Sequence, residues 1–234
     1  MKVQIPDQLK ADLPQTLFGK ILAATPVVMA VVSTMLAGLA SSEMTRAQYA
    51  RALAAQQQSK AGDQWSFFQA KRLRSALQRN SIDLLQATTE FQPLDPSAFG
   101  NLSGPEQEAL NYLVKGEVPP VPAAAPLDPK IAAAIEAVET LQPETRVTAL
   151  LANVTDKMLA DTLLAARDRA QAFDAATRPI NQAVDALDKK FGRKNTSFVV
   201  ARLAYAAQRY EVEARLNQAI ANLYELQVRK SNIL

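Results

Sequence analysis

Cysteine and histidine are both missing from the 234 residues. Their absence excludes disulfides, thiol nucleophiles, Cys/His zinc sites and histidine acid–base catalysis together. Any chemistry would fall to carboxylates, lysine, tyrosine, serine or threonine. Glycine is scarce, at 7 residues, and aromatics make up only 6%. Ala, Leu, Gln, Arg and Glu fill most segments, a composition that favours long helices over sheets. No block of one charge sign stands out. The net charge is +3, with acidic and basic residues interleaved, so no nucleic-acid footprint is expected. Hydrophobic residues reach 48%, enough for one sizeable core or two small ones.

Charge is also absent from one long run. ILAATPVVMAVVSTMLAGLASS, residues 21–42, contains no charged side chain and is bracketed by Lys20 and Glu43. As a helix it would cover roughly 33 Å, close to the hydrocarbon thickness of a bilayer. A buried core helix is seldom charge-free for so long. A cleaved signal peptide, with Gly38-Leu39-Ala40 at the cut, would have a shorter apolar core and a shorter leader. Residues 21–42 therefore read as a transmembrane helix after an N-terminal segment, 1–20. Lys10 and Lys20 on one side balance Arg46 and Arg51 on the other, so the charge rule gives no orientation.

Proline, too, is missing between Pro26 and Pro93. Residues 43–91 read as one long helix continuing from the span, and together they would make a rod of roughly 105 Å. Such a helix needs lateral partners along its length. Residues 92–130 form a proline-rich excursion, with a short helix expected at 105–115 after Ser103-Gly104-Pro105-Glu106. Val118 to Pro129 reads as an extended proline–alanine linker. Helix is expected again over 130–141 and over 144–191, the latter kinked or interrupted by Pro179. FGRKNTS, 191–197, reads as a turn, with Gly192 suited to a helix end and Asn195, Thr196 or Ser197 to the next cap. The final helix, about 197–233, carries a near-heptad seam of Val212, Leu216, Ile220, Leu223 and Gln227. A second line, Leu203, Ala207, Tyr210 and Ala214, offers small residues for close helix approach. Residues 131–234 are thus expected to form a helical hairpin packed on 43–91. The fold class is all-α: a coiled-coil-like antiparallel bundle behind a transmembrane helix.

The sole tryptophan lies in AGDQWSFFQAK, residues 61–71. Asp63, Trp65, Phe67, Phe68 and Gln69 are read here as packing or subunit-contact residues, joined by Tyr210, Val212, Leu216, Ile220 and Leu223 from the last helix. A ligand pocket roofed by Trp65 is the competing possibility. Trp65 lies 23 positions past Ser42, roughly 35 Å along a straight helix. That is too far for an interfacial aromatic belt. Gly62 would let a neighbour approach beside the ring. Acidic residues recur at Glu106 and Glu108, Asp156 and Asp161, Glu211 and Glu213. None pairs with histidine as di-iron bundles require, and Glu211 and Glu213 are read as solvated. Arg167-Asp168-Arg169, and Lys189-Lys190 with Arg193-Lys194, lack interleaved aromatics and read as solvated surface. No catalytic, cofactor or metal residue is assigned.

The apolar span, the polar helix and Asp63-Gln64-Trp65…Gln69-Ala70-Lys71 resemble a family of uncharacterised bacterial membrane proteins, the domain of unknown function number 4337. That family carries a similar D-Q-W-x-x-x-Q-A-K segment on the helix after its first span, and the resemblance covers about residues 20–90. Arg209–Arg229 is similar to the helix that leads such proteins back towards the bilayer. The resemblance implies a bacterial inner-membrane location and one or more later spans. None occurs before Leu234, which leaves a single-pass chain and a longer native chain both open. It implies no reaction. The expected function is a non-enzymatic, membrane-anchored scaffold that associates with itself or with a membrane complex. The alternative is a binding protein with a quinone or lipid-like ligand between its helices.

Overall fold

A computed structural model describes residues 16–90, 92–192 and 195–232. The expected N-terminal segment 1–20 falls largely outside them, as do Phe91 and the Arg193-Lys194 pair. Among the described residues there is helix and no strand. The chain divides into two compact units, Met1–Leu53 and Ala54–Leu234. One helix, α1 (Leu17–Thr88, 72 residues), crosses that division.

In the first unit, the Thr16 hydroxyl accepts from the Gly19 amide at 3.2 Å at the start of α1. The helix runs through Pro26, which lies inside it. The apolar stretch is long enough to cross a membrane, and none of it is buried. Its threonine hydroxyls turn inward on the helix. Thr25 donates to the Ile21 carbonyl and Thr34 to the Ala30 carbonyl, both at 2.8 Å. Back-bonding of this kind hides polar groups that an apolar surrounding would penalise.

The second unit is an all-α bundle. After α1 come a 3-10 turn (Pro96–Phe99), α2 (Pro105–Lys115), α3 (Pro129–Glu139), α4 (Glu144–Leu151), α5 (Asp156–Leu187), a π turn (Asp188–Gly192) and α6 (Thr196–Ser231). Local signals set most of these boundaries. Pro105 and Pro129 occupy first-turn positions where a missing N–H costs nothing. Gly116 closes α2 in the left-handed conformation, φ 66°. Asp128, Thr155 and Asn195 cap α3, α5 and α6 through their side chains.

Two expectations for 144–191 are corrected. The segment is split at residues 152–155, where Thr155 starts a new helix. Of the kink or interruption expected at Pro179, the interruption does not occur: α5 continues to Leu187. The carbonyl deprived of the proline N–H belongs to Ala175, which is exposed and open to water.

α5 and α6 form an antiparallel hairpin with a core towards each end. At the α5 N-terminal end, Leu159 and Leu163 pack with Ile131 and Ala134 of α3, Val147 and Leu151 of α4, and Ile220, Leu223 and Leu226 of α6. At the other end, Ile180, Val184 and Leu187 pack with Leu110 and Leu113 of α2, Phe99, and Phe198 and Tyr205 of α6. Residues 117–128, within the expected linker, have no regular structure. They are held to the bundle: Pro119 is buried, and Arg169 Nε donates to the Pro122 carbonyl at 2.7 Å.

Tyr205 links fold to pH. Its hydroxyl donates to Asn181 Oδ1 at 3.0 Å. Burial pushes the phenol up from its ordinary 10.0 to about 12; Tyr112 and Glu213 add to this and Arg209 opposes it. The folded state thus favours the neutral phenol. That contribution is complete below pH 10.0 and is lost as pH rises towards 12. Unfolding free energy should fall across that window, and Tyr205→Phe should flatten the fall. A fall of equal size in both proteins would count against burial as the cause.

Candidate functional site

α1 meets the bundle along one stripe. From Ala54 the less exposed positions, apart from Trp65, are Gln57, Ala61, Gln64, Phe68, Lys71, Ser75, Gln78, Ile82 and Leu85, spaced alternately by three and four. This is the seam of a heptad, but most of its side chains are small or polar. Ala61 alone from this helix enters a buried apolar cluster.

At the middle of the stripe, charged groups converge between α1 and α6. Lys71 Nζ donates to Glu213 Oε2. Arg209 Nη1 donates to Glu213 Oε1 at 2.8 Å, and Asn217 Nδ2 to the Glu213 backbone carbonyl at 2.8 Å. One turn along α1, Ser75 Oγ donates to the Ala207 carbonyl at 2.9 Å in a buried contact. Ala207 and Ala214 on α6 are buried, and the small side chain of Ala207 lets the serine reach main chain. The Tyr210 ring has three cations around it. Arg209 lies 4.3 Å from its centroid, Lys71 5.3 Å and Arg74 5.8 Å, within the range of a cation–π contact.

Glu213 is therefore buried and doubly paired, which corrects its reading as a solvated charge. Its sequence neighbour Glu211 stays nearer the surface, 3.7 Å from Arg215. Beside Glu213 lies a hollow of about 240 Å³, bounded by Phe67, Lys71, Ala170, Asp174, Leu216 and Asn217. Asp174 sits at its rim. Burial, then the charge of Glu213, pushes its carboxyl above the ordinary 3.8, against the pull of Lys71, Arg178 and Arg209. In this arrangement Lys71 Nζ and both Glu213 oxygens are engaged. The cluster acts as a clamp between helices.

The sequence-expected contact residues separate into three groups. Leu216, Ile220 and Leu223 are buried on α6, and Val212 and Tyr210 are half-buried. Trp65 and Phe68 are half-buried and meet edge to face at 5.5 Å. Asp63 and Gln69 are exposed, and Phe67 is 53% exposed. A side chain at Gly62 would meet nothing within 4 Å, so no close approach inside this chain explains that glycine. Glu213, Arg209, Ser75 and Asp174 are the additions. The i,i+4 spacing of Arg209 and Glu213 was a usable signal for one pair.

The stripe, the clamp lysine and the tryptophan all lie on one segment. Residues 18–103 match the family model Domain of unknown function (DUF4337). The DUF4337 match takes in all but the first residue of α1, together with the Pro96–Phe99 turn, and ends before α2. Trp65, Gln69 and Lys71 fall inside it, while Arg209, Tyr210 and Glu213 fall outside. Arg209–Arg229 is likewise not part of the DUF4337 match. No curated protein and no solved structure matches the chain.

Proposed function

We propose that the protein is a non-enzymatic, membrane-anchored helical scaffold of the bacterial inner membrane, which associates with itself or serves as an accessory subunit of a membrane complex. The observation that carries this reading is the surface of α1 between Val27 and Leu39. Val27, Val28, Met29, Val31, Val32, Met35, Leu36 and Leu39 are all exposed. An exposed apolar surface of this kind supports insertion into a bilayer. Lys20 and Glu43 mark its ends, and Arg46 Nη1 lies 3.1 Å from Glu43 just beyond. The Lys71–Glu213–Arg209 clamp supports a structural role, because both cations and both carboxyl oxygens are engaged with one another.

Alkaline carbonate extraction of membranes from producing cells tests the anchor. The intact chain should remain in the membrane pellet. Its release into the soluble fraction would end the reading.

One observation favours the alternative of a quinone or lipid-like ligand. A cavity of about 300 Å³ lies under the linker, walled by apolar residues such as Leu127, Ile135 and Leu223, with Asp161, Thr162 and Arg169 among its lining. Mass spectrometry of organic extracts from purified protein discriminates: a stoichiometric apolar molecule would favour ligand binding over scaffolding.

A further inference from the structure

α1 carries a second stripe on the face turned away from the bundle. Ala70, Leu73, Leu77, Asn80, Leu84 and Ala87 follow 3-4-3-4-3 spacing. Leu73, Leu77 and Leu84 are 62%, 53% and 66% exposed, and the other three are exposed as well. With Ala70 at heptad position a, these residues fill a and d throughout. The bundle-facing Lys71, Ser75, Gln78, Ile82 and Leu85 fill b and f, on the opposite side. α1 is thus a helix with two seams, and only one has a partner among the described residues.

We propose that a second copy of this chain occupies the outer seam, as a parallel, in-register two-stranded coiled coil over residues 70–87. The inference rests on the membrane-anchor reading, because an anchor preceding the seam in both copies makes their pairing parallel. In that register each residue meets its own counterpart, so the leucines stack on leucines. Asn80 meets Asn80, and a side-chain amide both donates and accepts, so the pair satisfies itself. Asn80 sits at d, and a register shifted by one heptad would set its amide against Leu73 or Ala87 with no partner, so the Asn80 pair favours the in-register arrangement. The flanking positions agree. Across the interface Gln69 faces Arg74, Ala76 faces Ser81 and Asp83 faces Thr88, with no like charges opposed. One heptad upstream, Asp63 would oppose its own counterpart, which ends the seam there. Thr88 ends the helix at the other limit. Eighteen residues are too few for a stable coiled coil from dilute solution. Confinement of both anchors to one membrane supplies the effective concentration that such a short seam needs.

The absence of native cysteine makes the test direct. Single cysteines are placed in the full chain at Leu73, Leu77 and Leu84, and at Arg79 and Gln86 on a neighbouring face. Membranes are oxidised, and half of each sample is carbonate-extracted. The seam variants should shift from 25.4 kDa to twice that mass, while Arg79→Cys and Gln86→Cys stay monomeric. Adding Asn80→Lys to Leu77→Cys should abolish the shift and leave membrane retention unchanged. Equal cross-linking at seam and control positions overturns the inference. So does retention in the membrane with no seam cross-link, or capture of a different protein; these leave the anchor reading standing. Release by carbonate overturns both.

Discussion

Val32→Lys combined with Leu36→Lys is expected to release the chain from membranes. Both side chains are exposed on the apolar stretch, Val32 at 43% and Leu36 at 60%. They lie near the middle of residues 21–42, too far from either end for a lysine to reach the interface easily. Each central lysine costs insertion about 2.5–3.5 kcal/mol. Two together amount to roughly 5–7 kcal/mol if the costs add. Carbonate extraction reads the result as movement from pellet to supernatant. The bundle should keep its helical circular dichroism, because neither residue contributes to its cores. Retention of the double variant in the pellet would mean that something other than this stretch holds the chain.

Glu213→Ala is the second large effect. The side chain is only 6% exposed, and its two cationic partners, Lys71 and Arg209, are 25% and 18% exposed. Removing the carboxylate leaves two neighbouring, largely buried cations without a counter-charge. Loss of one partner from a buried pair typically costs about 3–5 kcal/mol. Partial water access to Lys71 places this case towards the lower end. Lys71→Ala should cost less, because Glu213 then keeps Arg209. Lys71→Met with Glu213→Leu should recover much of the loss, since an apolar replacement of both partners removes the desolvation penalty as well. Denaturant unfolding of the three variants in one detergent checks the order. A Glu213→Ala protein as stable as the parent would show that the clamp holds nothing.

The same clamp shows where sequence reasoning stops. The outline of the fold was legible because its signals are local. Gly104-Pro105 and Gly116 mark both ends of α2, and Asn195 caps α6 within the turn expected there. The apolar seam on α6 was legible because Leu216, Ile220 and Leu223 keep a helical period and are in fact buried. The bundle-facing stripe of α1 was not, because Gln57, Gln64, Lys71, Ser75 and Gln78 carry no apolar period. An apolar search selects Leu73, Leu77 and Leu84 instead, which face outward. Burial of Glu213 depends on a lysine 142 positions away, and nothing within one helix encodes that distance. The break between α4 and α5 has neither glycine nor proline; Asn153 and Thr155 are its local marks.

The polar stripe also has an energetic consequence. The side-chain oxygens of Gln57 and Gln64 are buried and accept no hydrogen bond from another group of the protein. An unpaired buried amide oxygen costs rather than stabilises. α1 therefore adheres to the bundle mainly through the clamp, the Ser75–Ala207 contact and a few apolar residues. The α5–α6 hairpin carries most of the apolar packing. This division fits a helix that divides its faces between its own bundle and another chain.

Assembly through that helix is the central claim, and the native mass of the full chain in bilayer nanodiscs excised directly from the membrane tests it most directly. The account predicts a protein mass of at least twice 25.4 kDa, falling to the single-chain value when Leu77→Asp and Leu84→Asp are combined and the helical signal is retained. A parent protein that stays at 25.4 kDa in a bilayer nanodisc, with no other protein bound, would contradict it.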